Sequence, residues 1–557
     1  MYGGIGSHFR LTTESATATA CLIMVQPRPG NVAQPLQARA ADEENVPDND
    51  RRVFSVIGTL PEPDGYAVAK FSRSARPYED WIKELTQEGA SRFYEQFYFS
   101  YGHASIADLA HLTMVAENIS IVAAVEVLDE QLVDAQESST RYQDFSKRRF
   151  YTPPEIASSR LSAQYEQTCD RLFEAYRTVH GLVTQHFERR YASKRPAEMA
   201  DDEYRRTLRA RAFDVARYLL PSSTLTGLGY LCSARTLERQ ITRLASSPLA
   251  EVREIADGLR AAAVRPALNP LAERVAGPLG ELLASHPNEE SEALGEAIKK
   301  AALTGAAAAP TLVRYTEASP YLQSTYAELR TTAEGLLRDT LADGARGVEL
   351  ATSVDPRTEL AATLLYRGGD QSYRQILDCL RALPDDQLES ICGLAFKHRG
   401  QHDDVVREAR VGYQLVFDAC LDNGAFRDLH RHRNCVQIVK DFNGHYGYDQ
   451  PDAAEEAGAA DIYRAAMDEA GTLAERLDQE HRGLGQYVLP LGYRRRALFK
   501  MDFAELAYIV ETRTTPAGHF SYRDIASQMC DQFARRFPAL ASQIRATDAR
   551  VEEFFER

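Results

Sequence analysis

Two stretches decide the fold of this 557-residue chain: DEQLVDAQESSTRY (129–142) and RHRNCVQIVKDFNG (431–444). Each stretch is the end of a predicted long helix that leads into a polar loop. One lies in the first half of the sequence and the other lies in the second half. A supersecondary pattern that occurs twice in one chain is typical of an internal repeat. The two stretches therefore predict a tandem duplication.

Other matching segments occur in the same order on both sides of these stretches. The matching pairs are YAVAKFSRS (66–74) with LAATLLYRGG (360–369), YGHASIAD (101–108) with HRGQHDD (398–404), and EVREIADGL (251–259) with SYRDIASQM (521–529). A stretch rich in Ala, Pro and Gly, from about residue 264 to residue 320, separates the two sets. Two related domains in one chain are the simplest explanation.

The repeat sets the predicted domain boundaries. We expect a disordered N-terminal extension over 1–51, a first domain over 52–265, a linker with connecting helices over 266–355, and a second domain over 356–557. The extension is rich in small and polar residues and has no sustained apolar period.

Helical patterns dominate beyond about residue 52. NISIVAAVEVLDEQLV (118–133) places Ile121, Val125 and Leu132 on one helical stripe. Strand-like runs are few, and GYAVAKF (65–71) is one of them. The predicted fold class is α+β, mostly α.

Composition and charge exclude several classes of protein. The chain has 65 basic and 80 acidic residues and a formal net charge of −15, which disfavours broad binding of a nucleic acid polymer or of anionic lipid. No apolar run approaches the length of a membrane span, and a continuous signal-peptide core is missing from the N-terminus. Eight scattered cysteines form no CxxC pair and no metal-ligand spacing with histidine. We expect a cytoplasmic protein without a metal site.

Within this acidic chain, one short segment is strongly basic. Residues 427–433 contain three arginines and two histidines. Because arginine matches the oxygens of a phosphate group, a small phosphate-bearing anion is the leading candidate ligand for this segment.

The first half offers a second candidate phosphate site. Ser139 and Arg141, with the backbone N–H groups around Thr140, could cradle a phosphate after the predicted helix. Arg235 and Arg253 lie downstream. For any one of these arginines, a solvated helix face is the alternative interpretation. No nucleophile–base pair is evident.

The collinear order of YGHASIAD, ISIVAAVEVLDEQLVDAQESSTRY, SARTL (233–237) and EVRE (251–254) resembles the flavin-dependent thymidylate synthases. That family has a Gly-His segment, a helix that ends in Arg-His-Arg, then Ser-x-Arg-Tyr, Asn-Ala-Arg and Glu-x-Arg. The second half resembles the family through RHR (431–433), LPL (489–491) and SYRDIA (521–526). The resemblance covers most of 52–260 and, more faintly, 356–545.

The two halves depart from the family in complementary ways. Where the family has Arg-His-Arg, the first half has Asp129, Glu130 and Gln131. The second half keeps Arg-His-Arg, but Asp441 and Asn443 replace the serine and arginine of Ser-x-Arg. The resemblance therefore implies that each half has kept a different part of the site.

The resemblance assigns roles to individual residues. It implies nucleotide binding by Ser139, Thr140, Arg141, Arg235 and Arg253; a catalytic and flavin-binding role for Arg431, His432 and Arg433; and further cofactor contacts by His103 and Arg523.

The implied fold is two tandem copies of the flavin-dependent thymidylate synthase fold. The implied activity is reductive methylation of dUMP, with FAD as cofactor and NADPH and methylenetetrahydrofolate as cosubstrates. Active sites of the family lie between subunits of a homotetramer, so we expect a homodimer of this chain that forms a pseudo-tetramer. Two alternatives stay open: a related flavoenzyme that modifies a different pyrimidine nucleotide, and a non-catalytic nucleotide-binding homologue.

Overall fold

The computed structural model describes most of the chain from Phe54 onward. Its described residues are 54–556, except for 57, 73–77, 79–81, 83–85, 101–103, 142, 146–148, 286–287, 352–355, 399–405, 410–414, 502, 537, 543 and 552. Gly58–Arg557 forms one compact unit. The extension expected over 1–51 lies outside the described residues, and both predicted domains lie within the single unit.

The first half contains eight labelled helices and three strands in its described part. They are α1 (Pro61–Phe71), α2 (Gln87–Tyr94), β1 (His111–Ser120), α3 (Ile121–Leu128), β2 (Asp134–Glu137), α4 (Pro154–Ala157), α5 (Ser162–Tyr191), α6 (Asp201–Ala216), β3 (Leu225–Ser233), α7 (Ala234–Ala245) and α8 (Ala250–Val264). A π-helical turn spans Glu95–Ser100, and 3-10 turns span Ala104–Leu109, Ala192–Lys194 and Arg217–Leu219.

The connecting segment and the second half continue the pattern. The elements are α9 (Pro270–Ala284), α10 (Glu289–Ala301), α11 (Pro320–Leu336), β4 (Gly347–Leu350), α12 (Pro356–Gly368), α13 (Tyr373–Leu380), α14 (Asp385–Lys397), β5 (Leu415–Asp422), α15 (Asn423–Leu429), β6 (Val436–Val439), α16 (Asp452–Glu456), α17 (Ala460–Glu480), β7 (Arg494–Met501), α18 (Phe503–Arg513), α19 (Phe520–Arg536) and α20 (Pro538–Ala541). Short 3-10 turns span Arg407–Ala409 and Gly485–Tyr487.

The two sheets have the same antiparallel core. The first sheet has the strand order β1-β3-β2, and the second has the order β4-β5-β7-β6. β1 and β2 both pair with β3, just as β5 and β6 both pair with β7. Within the described ranges, the second sheet has an added edge strand that the first sheet lacks, β4, which lies before the boundary predicted at residue 356. A mostly helical protein with two small sheets confirms the predicted fold class.

The structure fixes which residues of the two halves are equivalent. Ser120 caps the N-terminus of α3, and Asp422 caps that of α15. These two residues are 302 positions apart, and so are the first residues of β2 and β6. The same offset aligns Asp129, Glu130 and Gln131 with the Arg-His-Arg segment (431–433).

One polar contact is repeated in both halves with donor and acceptor exchanged. Ser120 donates from its backbone N and its Oγ to the carboxylate of Glu251, at 2.7 and 2.6 Å. In the second half, the carboxylate is on Asp422, and Ser521 Oγ donates to it. All four residues are buried, so the same strand-to-helix contact has survived with its chemistry reversed.

The halves pack around a local two-fold relation. Pro221 and Pro490 form an antiparallel bridge. On either side of it, Ser222 N donates to Leu489 O and Leu491 N donates to Leu220 O, both at 3.0 Å. The largest apolar core contains residues of both halves. The halves therefore pair within one chain.

Two local predictions were wrong. GYAVAKF belongs to helix α1, which begins with Pro61 and has acidic residues in its first turn and Lys70 in its last turn, as the helix dipole favours. The stretch 118–133 is not one helix, because β1 runs to Ser120 and α3 ends at Leu128. The Ser120 side chain accepts from Ala123 N and starts the helix there.

None of the helices in the described ranges is long and apolar enough to cross a membrane.

Candidate functional site between the two halves

The Arg-His-Arg segment lies in the turn between α15 and β6. His432 in its centre is buried. Arg513 Nε donates to His432 Nε2 at 2.8 Å, so the ring proton sits on Nδ1, which faces Glu505 Oε1 at 3.3 Å. Burial lowers the pKa of His432; the hydrogen bond with Glu505 opposes this effect, and the charge of Arg513 adds to it. His432 is therefore a neutral imidazole with both nitrogens engaged.

The two arginines beside His432 make few hydrogen bonds to other described residues. Arg433 donates from Nη1 to Arg431 O at 3.4 Å, and its buried Nε has no hydrogen-bond partner among the described residues. Burial lowers the pKa of Arg433, the charge of Arg431 lowers it further, and Asp134 partly offsets both. An anion bound at this turn would relieve the repulsion between the two guanidinium groups.

A small cavity lies beside these arginines, and both halves line it. The lining residues are Val125, Leu128 and Glu137 from the first half and Arg427, His430, Arg431 and Arg433 from the second. Arg427 forms a buried ion pair with Glu137. Nε of Arg427 and Nε2 of His430, like Nε of Arg433, are buried without a hydrogen-bond partner in the described part of the chain. This cluster of unsatisfied nitrogen atoms is the chemistry expected of a polar binding site.

The equivalent loop of the first half contacts the Arg-His-Arg loop. Asp129 is paired with Arg407 at 2.5 Å, and Gln131 Nε2 donates to the backbone oxygens of Arg433 and Cys435 at 3.4 and 3.2 Å. Glu130 faces inward to Arg239, at 3.4 Å. The two acidic residues of this loop are therefore paired with arginines, Asp129 with Arg407 and Glu130 with Arg239.

The Ser139–Arg141 segment forms a turn after β2. Arg141 N donates to Ser139 Oγ at 3.2 Å. The Arg141 guanidinium is buried and binds Asp214 through two hydrogen bonds, of 2.7 and 3.2 Å. Burial opposes the charge of Arg141, but the Asp214 carboxylate outweighs this and raises the pKa of Arg141. Its charge is thus balanced within the protein.

Tyr522 joins the retained motifs of the two halves. Its hydroxyl accepts from Arg141 Nη1 at 3.1 Å. The guanidinium carbons of Arg141 and Arg513 lie 5.7 and 5.6 Å from the Tyr522 ring centroid, and Arg513 in turn contacts His432. The structure therefore brings Arg141 and the Arg-His-Arg segment together through Tyr522 and Arg513.

Sequence reasoning missed four members of this cluster: Asp214, Glu505, Arg513 and Tyr522. Only Tyr522 carried a usable signal, because it lies next to Arg523 in the segment SYRDIA that matches EVREIA. Asp214 is 73 residues from its partner Arg141, and no spacing rule could connect them.

The other predicted site residues lie elsewhere or have local partners. Arg235 pairs with Asp108 at 3.0 Å, and exposed Arg253 donates to the backbone oxygens of Ser247 and Pro248. Arg523 is buried and donates to the backbone oxygens of Thr514, Asp548 and Val551. His103 lies outside the described residues. Among those residues, no cluster of three or more His, Cys, Asp or Glu side chains could hold a metal ion.

In the second half, acidic and amide side chains stand at the positions equivalent to the proposed phosphate site of the first half. Asp441, the equivalent of Ser139, pairs with Arg330 at 3.3 Å. Asn443, the equivalent of Arg141, donates to Asp370 Oδ1 at 3.1 Å. Two carboxylates at this place would repel a phosphate group.

Comparison with protein families gives matches in both halves. The family model described as thymidylate synthase complementing protein matches residues 56–266 and 402–539, which together are more than half of the chain. Because the two matched segments lie in the two halves, they confirm the predicted tandem duplication.

Several curated proteins are similar over most of the chain. A UPF0159 protein of Chlamydia pneumoniae is 26% identical over 465 residues, which cover 82% of this chain and 80% of the relative. A UPF0159 protein of Thermoplasma acidophilum is 24% identical over 517 residues, which cover 87% and 95%. A flavin-dependent thymidylate synthase of Clostridium tetani is 23% identical over 212 residues, which cover 36% of this chain and 80% of the relative.

Among solved structures, the chain is similar to flavin-dependent thymidylate synthase ThyX from Helicobacter pylori complexed with FAD and dUMP. The TM-score is 0.24 and the identity is 16%, over 36% of this chain and 88% of that chain.

Proposed function

Because the chain belongs to the thymidylate synthase complementing protein family, we propose that it is a flavin-dependent enzyme that reductively methylates dUMP. The observation that carries this proposal is the cationic cavity between the halves. Arg431 and Arg433 line the cavity, and buried N–H groups of Arg427 and Arg433 have no hydrogen-bond partner there among the described residues. Such a cavity favours an anionic ligand.

The cavity has a volume of about 10 Å³, room for about one water molecule, so no more than one anionic group of FAD, such as an oxygen of its pyrophosphate, would enter it. We propose that Arg431 and Arg433 would bind the cofactor and stabilise negative charge on it. The bound flavin would supply the hydride chemistry, with NADPH and methylenetetrahydrofolate as cosubstrates. His103 and Arg523 complete the proposed cofactor contacts.

His432 would act on this site by orienting another residue. Its Nε2 lone pair is used by Arg513, and its Nδ1 proton faces Glu505. A neutral imidazole that is engaged on both sides is a poor proton donor to a ligand. It does fix the Arg513 guanidinium beside Tyr522, between the two retained motifs.

We assign the nucleotide to the first half. The turn formed by Ser139, Thr140 and Arg141 is the proposed phosphate site, and Arg235 and Arg253 are the proposed further contacts. The carboxylates of Asp441 and Asp370 stand at the equivalent place in the second half and disfavour a second nucleotide there.

One observation limits the strength of the proposed phosphate site at Arg141. The Arg141 charge is balanced by Asp214 in a bidentate, buried pair. An arginine held in this way attracts a phosphate less strongly than a free one does.

A two-part experiment tests the proposed function. The purified protein should carry a flavin absorbance band, and it should release deuterium from carbon 5 of labelled dUMP when NADPH and methylenetetrahydrofolate are present. Flavin binding without deuterium release would support a related flavoenzyme with another substrate. Nucleotide binding without any flavin would support the non-catalytic candidate.

We expect Arg431→Ala and Arg433→Ala each to weaken FAD binding about tenfold, because each removes a charge-assisted bond to an anion. Quenching of flavin fluorescence during reconstitution measures the dissociation constant. Arg464→Ala is the matched control, since Arg464 is half-exposed on α17 and pairs with Asp461. Equal affinity in all three variants would contradict the assignment of the cavity.

We also expect a homodimer of the chain. The two halves of one chain pair around Pro221 and Pro490, and this pairing takes the place of one contact between subunits. Sites of the family are built from four copies of the domain, so two chains are needed to supply four halves. Light scattering at micromolar concentration should give the mass of two chains. The mass of one chain would contradict the proposed pseudo-tetramer.

A further inference from the structure

The replaced motif of the first half and the retained motif of the second half touch each other. Gln131 is equivalent to Arg433 by the 302-residue offset, and Gln131 Nε2 donates to the backbone oxygen of Arg433 at 3.4 Å. It also donates to the backbone oxygen of Cys435, the residue before β6, at 3.2 Å. A first-half side chain thus binds the backbone on both sides of Asn434.

Asp129, at the other end of the replaced motif, binds a cation behind the same turn. Its carboxylate pairs with Arg407, and its backbone oxygen accepts from Arg407 Nη2 at 2.8 Å. Arg407 Nη1 also donates to Gln437 O at 3.2 Å. Asp129 therefore fixes the arginine that contacts β6.

Gln437 carries this contact back into the Arg-His-Arg turn. Its Nε2 donates to His432 O at 2.7 Å. Its Oε1 must then accept the Nδ1 proton of His430, at 2.9 Å. Hydrogen bonds from three directions thus determine the backbone path of residues 430–437.

The groups around Asp129 favour the ionised form of its carboxylate. Arg407, His430 and Arg243 all face it, and no second carboxylate contacts Arg407 at hydrogen-bond distance among the described residues. Burial opposes the ionised carboxylate, but the charge of Arg407 above all, together with His430 and Arg243, outweighs it and lowers the pKa of Asp129. An arginine at position 129, as the family motif has, would face Arg407 directly.

We propose that Asp129 and Gln131 are positioning residues, and that the replaced motif of the first half holds the turn that presents Arg431 and Arg433 to the ligand. The replacement is then a specialisation of the duplicated loop and not a decay of it. The ligand side of this inference rests on the proposed function, since it takes FAD as the anion that the two arginines bind.

Flavin affinity tests the positioning role. Asp129→Asn keeps the shape of the side chain but removes its charge, and we expect it to weaken FAD binding about tenfold. Asp129→Glu restores the charge and should bind within about threefold of the original chain. Gln131→Ala should weaken binding about fivefold, because it frees two carbonyl groups of the turn. Gln136→Ala, on the exposed face of β2, is the control and should leave the affinity unchanged.

The charge-restoring variant separates positioning from general damage. If Asp129→Glu binds as weakly as Asp129→Asn, or if Gln131→Ala binds as the control does, the proposal is overturned. A thermal melt of each variant checks that the chain is folded at the assay temperature.

Hydrogen–deuterium exchange tests the same inference without any cofactor. Amide protection over 431–437 should fall at least about tenfold in Gln131→Ala and Asp129→Asn, but not in Gln136→Ala. If the unmodified protein binds no FAD, the proposed function fails while this experiment still decides the positioning role. Unchanged protection in both variants would overturn the positioning role itself.

Discussion

Replacement of Arg141 with alanine should lower the free energy of unfolding by about 3–5 kcal/mol. Arg141 and Asp214 are buried, and two hydrogen bonds of 2.7 and 3.2 Å join them. The variant would leave the Asp214 carboxylate buried without its cation. It would also remove the bond to Tyr522 and the bond to Ala517 O, both of which join the first half to the second.

Urea denaturation of matched variants measures this effect. Arg235→Ala is the control, because Arg235 also pairs with an aspartate but both side chains are more than a third exposed, and such pairs contribute less than about 1 kcal/mol. The double variant Arg141→Met, Asp214→Leu should recover more than half of the loss, since it leaves no unpaired charge. A loss in Arg141→Ala no greater than that in Arg235→Ala would refute the prediction.

Replacement of Lys440 with methionine should raise the free energy of unfolding at pH 7 by about 3 kcal/mol. Burial lowers the pKa of Lys440 from 10.5 to about 7, although Asp370 and Asp418 partly offset the effect. Because the unfolded chain binds a proton at pH 7 more readily than the folded chain does, this lysine opposes folding there by roughly 4 kcal/mol. The lost bond to Gly369 O and the lost contact with the Tyr366 ring reduce the gain.

The sign of the pH dependence makes this prediction specific. The pKa of Lys440 is lower in the folded chain than in the unfolded chain. Lys440 therefore destabilises the folded state most below pH 7, and this destabilisation disappears as the pH rises toward 10.5. The advantage of Lys440→Met should therefore shrink by about 2 kcal/mol between pH 7 and pH 9. Lys299→Met, at an exposed residue of α10, should show no such slope. Denaturation curves at both pH values measure the difference, and a constant advantage would refute burial of the Lys440 ammonium as its cause.

Part of the candidate site could be predicted from the sequence. Comparison of the motifs that each half has kept or lost correctly aligned Asp129 with Arg431 and Ser139 with Asp441. The alignment was possible because these segments have the same spacing in both halves. The partners of those residues could not be predicted. Whether an arginine meets a phosphate or an internal carboxylate depends on residues that are distant in the chain, as Asp214 is from Arg141.

Local structure was predicted least well where apolar residues run on without a break. The stretch 118–133 has the apolar period of a helix, yet its first residues pair with β3 as a strand. The hydrogen-bond partners in β3 are more than a hundred residues away, and a serine cap sets the boundary at residue 120. Pairing across the sheet outweighed the local preference.

The sequence by itself determined the duplication, the family and the mostly helical class, because the collinear order of motifs survives when single residues change. Only the tertiary structure decided that the halves pair with each other and that the replaced loop at 129–131 contacts the retained loop at 431–433. It also decided that Arg141 is balanced by Asp214. These are contacts between surfaces buried on folding, where the removal of water makes each charge depend on its nearest partner, and a linear order of residues does not specify that partner.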